Sequence, residues 1–184
     1  MPKTTKELAI KSVMESKFEH EAGLIRSGKL QYTNHNDSYV YFQSTIINQT
    51  TGMDAMKAKF WYRSMSRADY IRLKNKIQLN LGNSYCGIAT NFNYLKHYFN
   101  NGSDGSHIVE FQGVHQLLLG KELMQLNPPK GSPQGPKGEG DGGTFGLGPT
   151  GFLKGAGGKR FNELLDQTQI TFRLVACKLP LIKS

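Results

Sequence analysis

Phe60-Trp61-Tyr62-Arg63-Ser64-Met65-Ser66-Arg67-Ala68-Asp69-Tyr70 decides how this chain is read. An aromatic run suited to a strand ends on one arginine. Ser66-Arg67-Ala68-Asp69 then has the chemistry of a helix start, with Ser66 as the cap. Arginine is a poor way to end a buried strand and a good way to hold phosphate. Its planar fork matches paired phosphate oxygens and keeps its charge at any working pH. A strand over residues 59–64, an arginine and a capped helix predict a cleft for a phosphorylated ligand.

Working outward, Leu8, Ile10, Val13, Met14, Phe18, Leu24 and Ile25 recur at helical spacing. They predict a helical segment over residues 4–30, with Gly28 as its stop. Asn34-His35-Asn36-Asp37-Ser38 reads as a turn, and Tyr39-Val40-Tyr41-Phe42 as a strand. On the other side, residues 85–90 predict a strand that ends in the polar turn Thr90-Asn91. Residues 92–99 predict a short aromatic helix, 107–112 a strand and 117–126 a short helix. Residues 127–158 are rich in glycine and proline and predict a long irregular loop. Phe161-Asn162-Glu163-Leu164-Leu165 reads as an amphipathic turn, and residues 169–176 alternate as a strand.

The chain has 184 residues, enough for one domain, and 1–184 is read as a single domain. Within it, 1–57 forms an N-terminal helix and β segment, 58–178 a catalytic core, and 127–158 a long loop. The fold class expected is α+β. A net charge of +9 favours contact with nucleic acid, an acidic partner or an anionic ligand, and fits a solvated basic surface at least as well. Cys86 and Cys177 lack metal spacing and sit in apolar stretches, which fits free buried thiols. No apolar run approaches the ~20 residues of a membrane span. The start of the chain has no signal-peptide core. A soluble domain is expected, in the cytoplasm of a producing or target cell or exported by a specialised system.

Tyr62-Arg63 with Ser66 and Asp69, Gly87-Ile88-Ala89-Thr90 with Tyr94 and Tyr98, Ile108-Val109-Glu110-Phe111, and the late Glu163 follow one another in a telling order. In that order the chain resembles the mono-ADP-ribosyltransferases of the arginine-serine-glutamate class found in bacterial protein toxins. The resemblance covers roughly residues 58–178. It implies a split β-sandwich core with an N-terminal helical segment, NAD as co-substrate and no metal.

The resemblance implies that Arg63 holds the NAD phosphates, with Tyr62, Ser64, Gly87 and Ile88 lining the same site. Thr90 corresponds to one position of the Ser-Thr-Ser strand that shapes the nicotinamide pocket; the triplet here is Ala89-Thr90-Asn91. Tyr94 or Tyr98 would stack on nicotinamide or adenine. Glu163 is the catalytic acid expected, stabilising an oxocarbenium-like transition state. The second acidic or amide residue often found two positions earlier is Phe161 here. Glu110 is the rival carboxylate, because it faces opposite to Val109 and Phe111. Residues 127–158 correspond to the region that recognises the target, and their lysines suit an acidic protein or RNA.

The acceptor expected is a macromolecule, either protein or RNA, with a cognate immunity protein as a further partner. Two other functions fit the basic composition: a ribonuclease toxin using histidine and glutamate, and a non-catalytic binding domain. The histidines lack zinc-site spacing, and there is no nucleophile elbow or phosphate-binding loop of the Gly-Lys-Ser/Thr type.

Overall fold

The computed structural model describes residues 4–14, 17–48, 59–79, 86–90, 92, 95, 99, 105–114, 124–127, 150–153 and 156–182. These combine helices and strands as an α+β fold. The chain divides into two compact units, Met1–Ile47 with Leu174–Ser184, and Asn48–Arg173.

In the first unit, the predicted N-terminal helix is two helices, α1 (Thr5–Met14) and α2 (Glu19–Arg26). Gly28 ends the second with φ +75, a conformation that costs glycine little. The strands β1 (Gln31–His35) and β2 (Tyr39–Gln43) follow as an antiparallel pair. Their turn is shorter than predicted. Asn34 and His35 belong to β1, and Asn36 Oδ1 accepts from the backbone N–H groups of Ser38 and Tyr39. The last strand, β8 (Thr171–Pro180), pairs with β2 from Ala176 to Pro180. Val40, Phe42, Cys177 and Leu179 are buried there, with Ala9, Val13 and Ala22 of the helices.

The second unit is built on β3 (Phe60–Met65), β4 (Cys86–Ala89), β5 (His107–Gln112), β6 (Met124–Asn127) and β7 (Thr150–Leu153). Their order is β5-β3-β4-β7-β6, and each neighbouring pair is antiparallel. The helix α3 (Arg67–Lys76) starts as predicted: Ser66 Oγ accepts from the Asp69 N–H at 3.1 Å. The helix α4 (Ala156–Asp166) is longer than the turn read around Phe161. Two consecutive glycines weaken a helix by about 1 kcal/mol each. Burial of Phe161, Leu164 and Leu165 on one face offsets that cost.

The predicted 127–158 loop therefore needs correction at its edges. Asn127 ends β6, residues 150–153 form β7, and α4 begins at Ala156. Residues 128–149 lie outside the described residues. The helix expected over 117–126 is also corrected at its end, where Met124–Asn127 is a strand paired with β7. A ladder partner decides such a short ambiguous run, and sequence periodicity does not reveal one. Phe92, Leu95 and Phe99 are helical and buried, in keeping with the helix read over 92–99.

Gly113 fixes how β5 leaves the sheet. Its φ is +99, and a side chain there would collide with the backbone carbonyl of Gln169. Gly113→Ala is expected to destabilise the protein by more than about 2 kcal/mol. Gly23→Ala, in α2 with open space around it, should stabilise by up to about 1 kcal/mol. Urea unfolding of both variants checks this; similar midpoints would show that the close approach at Gly113 carries no constraint.

Candidate functional site

The site is best built from the alternation of β3. Successive side chains of a strand point to opposite faces, and residues opposed across an antiparallel ladder share a face. The register pairs Tyr62 with Glu110 and with Ala89, Arg63 with Val109, and Trp61 with Phe111. One face of this sheet thus carries Tyr62, Ser64, Ala89 and Glu110. The other carries Trp61, Arg63, Ile88 and Phe111.

The helices α3 and α4 pack on the Trp61 face. The Phe161 ring of α4 meets Phe111 edge-on at 5.2 Å, and Tyr70 of α3 stacks on His107 at 5.2 Å. Asn162 ties α4 to the segment after α3: its Oδ1 accepts from the Leu79 N–H and its Nδ2 donates to the Leu79 carbonyl. Arg63 is half-buried on this face and engaged in interactions of its own. Thr90 is one residue beyond β4 and 1% exposed. Continuing the alternation sets it on the side of Ile88 and Arg63.

The Tyr62 face holds a buried carboxylate. Glu110 is 4% exposed. Tyr62 Oη donates to its Oε2 at 2.6 Å, and Arg173 donates from Nε to Oε1 at 2.7 Å and from Nη2 to Oε2 at 3.3 Å. A carboxylate inside a sheet persists only when charge and hydrogen bonds are both met, and here both are. Burial, followed by the hydrogen bond to Glu110 and its negative charge, pushes the Tyr62 phenol well above its ordinary range. It therefore stays protonated and donates. Arg173 was not singled out in the sequence, although its place between Phe172 and Leu174 in an alternating strand marks it as facing opposite to both.

The residues expected to act together divide between these faces. Arg63, Ile88 and Thr90 share one. Tyr62, Ser64 and Glu110 share the other. Gly87 sits in β4 with only its backbone to offer. Tyr94 and Tyr98 lie outside the described residues. Glu163 is on α4, the helix that packs on the Arg63 side, but on its outer surface. Its side chain is 58% exposed and paired with Arg160 at 2.9 Å. Phe161, two residues earlier, is fully buried against Phe111.

Among the described residues, three buried polar side-chain atoms have no hydrogen-bond partner: Trp61 Nε1, Ser64 Oγ and Thr90 Oγ1. All three lie on β3 or just past β4. Such orphans are uncommon in folded proteins; Trp61 and Thr90 share one face of the sheet, and Ser64 lies on the other. Among the described residues, no group of three His, Cys, Asp or Glu could hold a metal ion, and no helix is long and apolar enough to cross a membrane.

No known family, characterised protein or solved structure matches this chain.

The Tyr62–Glu110 bond has a pH signature. The unfolded phenol ionises near its ordinary pKa of about 10, while the folded one is raised. Its contribution is complete below pH ~10 and is lost as pH rises above that value, because the unfolded chain releases the proton first. Tyr41, raised mainly by burial, adds to the same loss. Stability should decline above pH ~10 more steeply in wild type than in Tyr62→Phe, as read by urea unfolding across pH. Equal slopes in the two proteins would show that the phenol is not held. Tyr62→Phe should itself cost about 1–3 kcal/mol at neutral pH.

Proposed function

We propose that this chain is an NAD-dependent mono-ADP-ribosyltransferase of toxin or effector type, with an ADP-ribosyltransferase-like split β-sandwich core. The observation that carries the proposal is the adjacency of β4, β3 and β5. The Gly-Ile-Ala-Thr, Tyr-Arg and Val-Glu-Phe segments, well separated in sequence, are direct neighbours in one antiparallel sheet. Arg63 and Thr90 share a face of it, and the helix bearing Glu163 packs on that face. That grouping fits a single NAD site better than one that draws on Glu110.

The chemistry proposed breaks the bond between nicotinamide nitrogen and ribose C1′. Nicotinamide leaves as a neutral molecule with the bonding electron pair and needs no proton. The acceptor nucleophile forms the new bond to C1′ and loses its proton. Arg63 holds the pyrophosphate by its fork. Glu163 acts on the positive charge that develops on the ribose ring, provided it exchanges Arg160 for the substrate. An exposed i,i+3 ion pair of this kind is worth under about 1 kcal/mol, so the exchange is cheap. Glu110 is structural, its charge and hydrogen bonds already committed to Arg173 and Tyr62. The acceptor is a protein or RNA.

Nicotinamide release from labelled NAD, with protein and RNA fractions separated afterwards, tests the proposal. Arg63→Lys should raise the KM for NAD by roughly tenfold or more, because an ammonium cannot form the bidentate contact. Glu163→Gln should lower kcat about a hundredfold or more with little change in NAD affinity, the mark of a contact made in the transition state. Glu110→Gln should cost about 2–4 kcal/mol of stability, and the molecules that remain folded should turn over NAD. An inactive but folded Glu110→Gln beside an active Glu163→Gln would reverse the two roles. RNA cleavage without NAD would replace the transferase by a ribonuclease.

A further inference from the structure

The orphaned atoms on the Trp61 face ask for a ligand group. Trp61 is 0% exposed and Thr90 1% exposed, and neither Trp61 Nε1 nor Thr90 Oγ1 has a partner. The register that pairs Tyr62 with Ala89 sets Trp61 across from Thr90 at the next step of the two antiparallel chains. Both side chains then share the face that carries Arg63. Leaving a buried donor unpaired costs about 1–3 kcal/mol, so two together are an expensive arrangement for packing alone.

The chemistry of the two atoms narrows what would fit. An indole N–H donates and never accepts, so it calls for an acceptor. A hydroxyl does either. An anion would satisfy both, but it would then be stripped of water against two neutral groups, at a cost of several kcal/mol. A neutral planar edge with an acceptor beside an N–H donor meets both without burying charge. NAD presents that edge twice: in the neutral carboxamide that hangs from its cationic nicotinamide ring, and in the N1/N6 side of neutral adenine.

Resting on the transferase proposal, we infer that Trp61 Nε1 and Thr90 Oγ1 form a binding pair for the amide-like edge of one of NAD's two rings. The acceptor atom of the ring edge takes the indole N–H, and its N–H donates to the Thr90 hydroxyl. Both protein atoms are sealed from solvent, so the ring reaches them only by displacing what covers them. Trp61 is thereby a ligand-binding residue, where its position in an aromatic run reads as core.

The chain contains one tryptophan, so the indole N–H gives a single nitrogen-correlated NMR signal and reports on this atom alone. The full chain, labelled with nitrogen-15, is titrated with NAD, with nicotinamide and with AMP. NAD and one of the two fragments should move the indole N–H signal downfield; which fragment does so tells carboxamide from adenine. Thr90→Val, which keeps the shape and loses the hydroxyl, should weaken that fragment about tenfold or more, and Thr90→Ser should restore it. Thermal unfolding confirms that both variants are folded. If NAD is bound and turned over while the indole signal stays still, or if Thr90→Val binds as tightly as wild type, the pair is not part of the site and the transferase proposal stands. If NAD neither binds nor turns over, both fall.

Discussion

A carboxylate inside a β-sheet holds this protein's second unit in register. Glu110 is nearly inaccessible to water, and it is tolerated because Tyr62 Oη and the Arg173 guanidinium meet it. The arrangement works only if Tyr62 and Glu110 face each other across β3 and β5. A slip of one residue would turn Glu110 onto the other face, away from Tyr62 and Arg173. The wrong register would part the carboxylate from both of its partners, and a buried charge that loses its partner is strongly destabilising.

That register then decides what each neighbouring residue can do. With Tyr62 committed to Glu110, Arg63 must emerge on the opposite side, with Trp61 and under the reach of α3 and α4. The stacked Tyr70 and His107 rings, the Phe111–Phe161 contact and the Asn162–Leu79 hydrogen bonds close the helices onto this side. Gly113 performs a similar service at the end of β5. Its positive φ and missing side chain let the chain pass the Gln169 carbonyl, at the turn that feeds Arg173 into position. Two polar contacts, two aromatic contacts and one glycine therefore position the described residues around β3 and β5.

The two glutamates illustrate how local sequence misleads about chemistry. Both lie in amphipathic surroundings. Glu110 alternates with Val109 and Phe111 and is truly inward, yet its oxygens are taken. Glu163 sits among Phe161, Leu164 and Leu165 but on the solvent side of the helical period, held loosely by Arg160. Inwardness and availability are separate properties. Here the buried carboxylate is the committed one, and the exposed carboxylate is the one able to change partners.

Much of the architecture was legible in the sequence. The strand at 60–65, the Ser66 cap, the Gly28 stop and the alternation of β5 and β8 follow from side-chain chemistry acting within a few residues. The break between α1 and α2, the strands β6 and β7 and the full length of α4 were not legible. They depend on ladder partners and buried faces supplied by distant segments. The candidate site divides in the same way. The sequence reading puts Arg63, Tyr62 and Ser64 in one site, whereas the strand register sets Arg63 on the face opposite Tyr62 and Ser64. Only the tertiary fold gave Glu110 its Arg173 partner, set Thr90 on the side of Arg63, left Trp61 Nε1 unpaired, and turned Glu163 outward. Periodicity is encoded along the chain, residue by residue. Which strand lies alongside, and what covers each face, is settled by packing between residues that the sequence holds far apart.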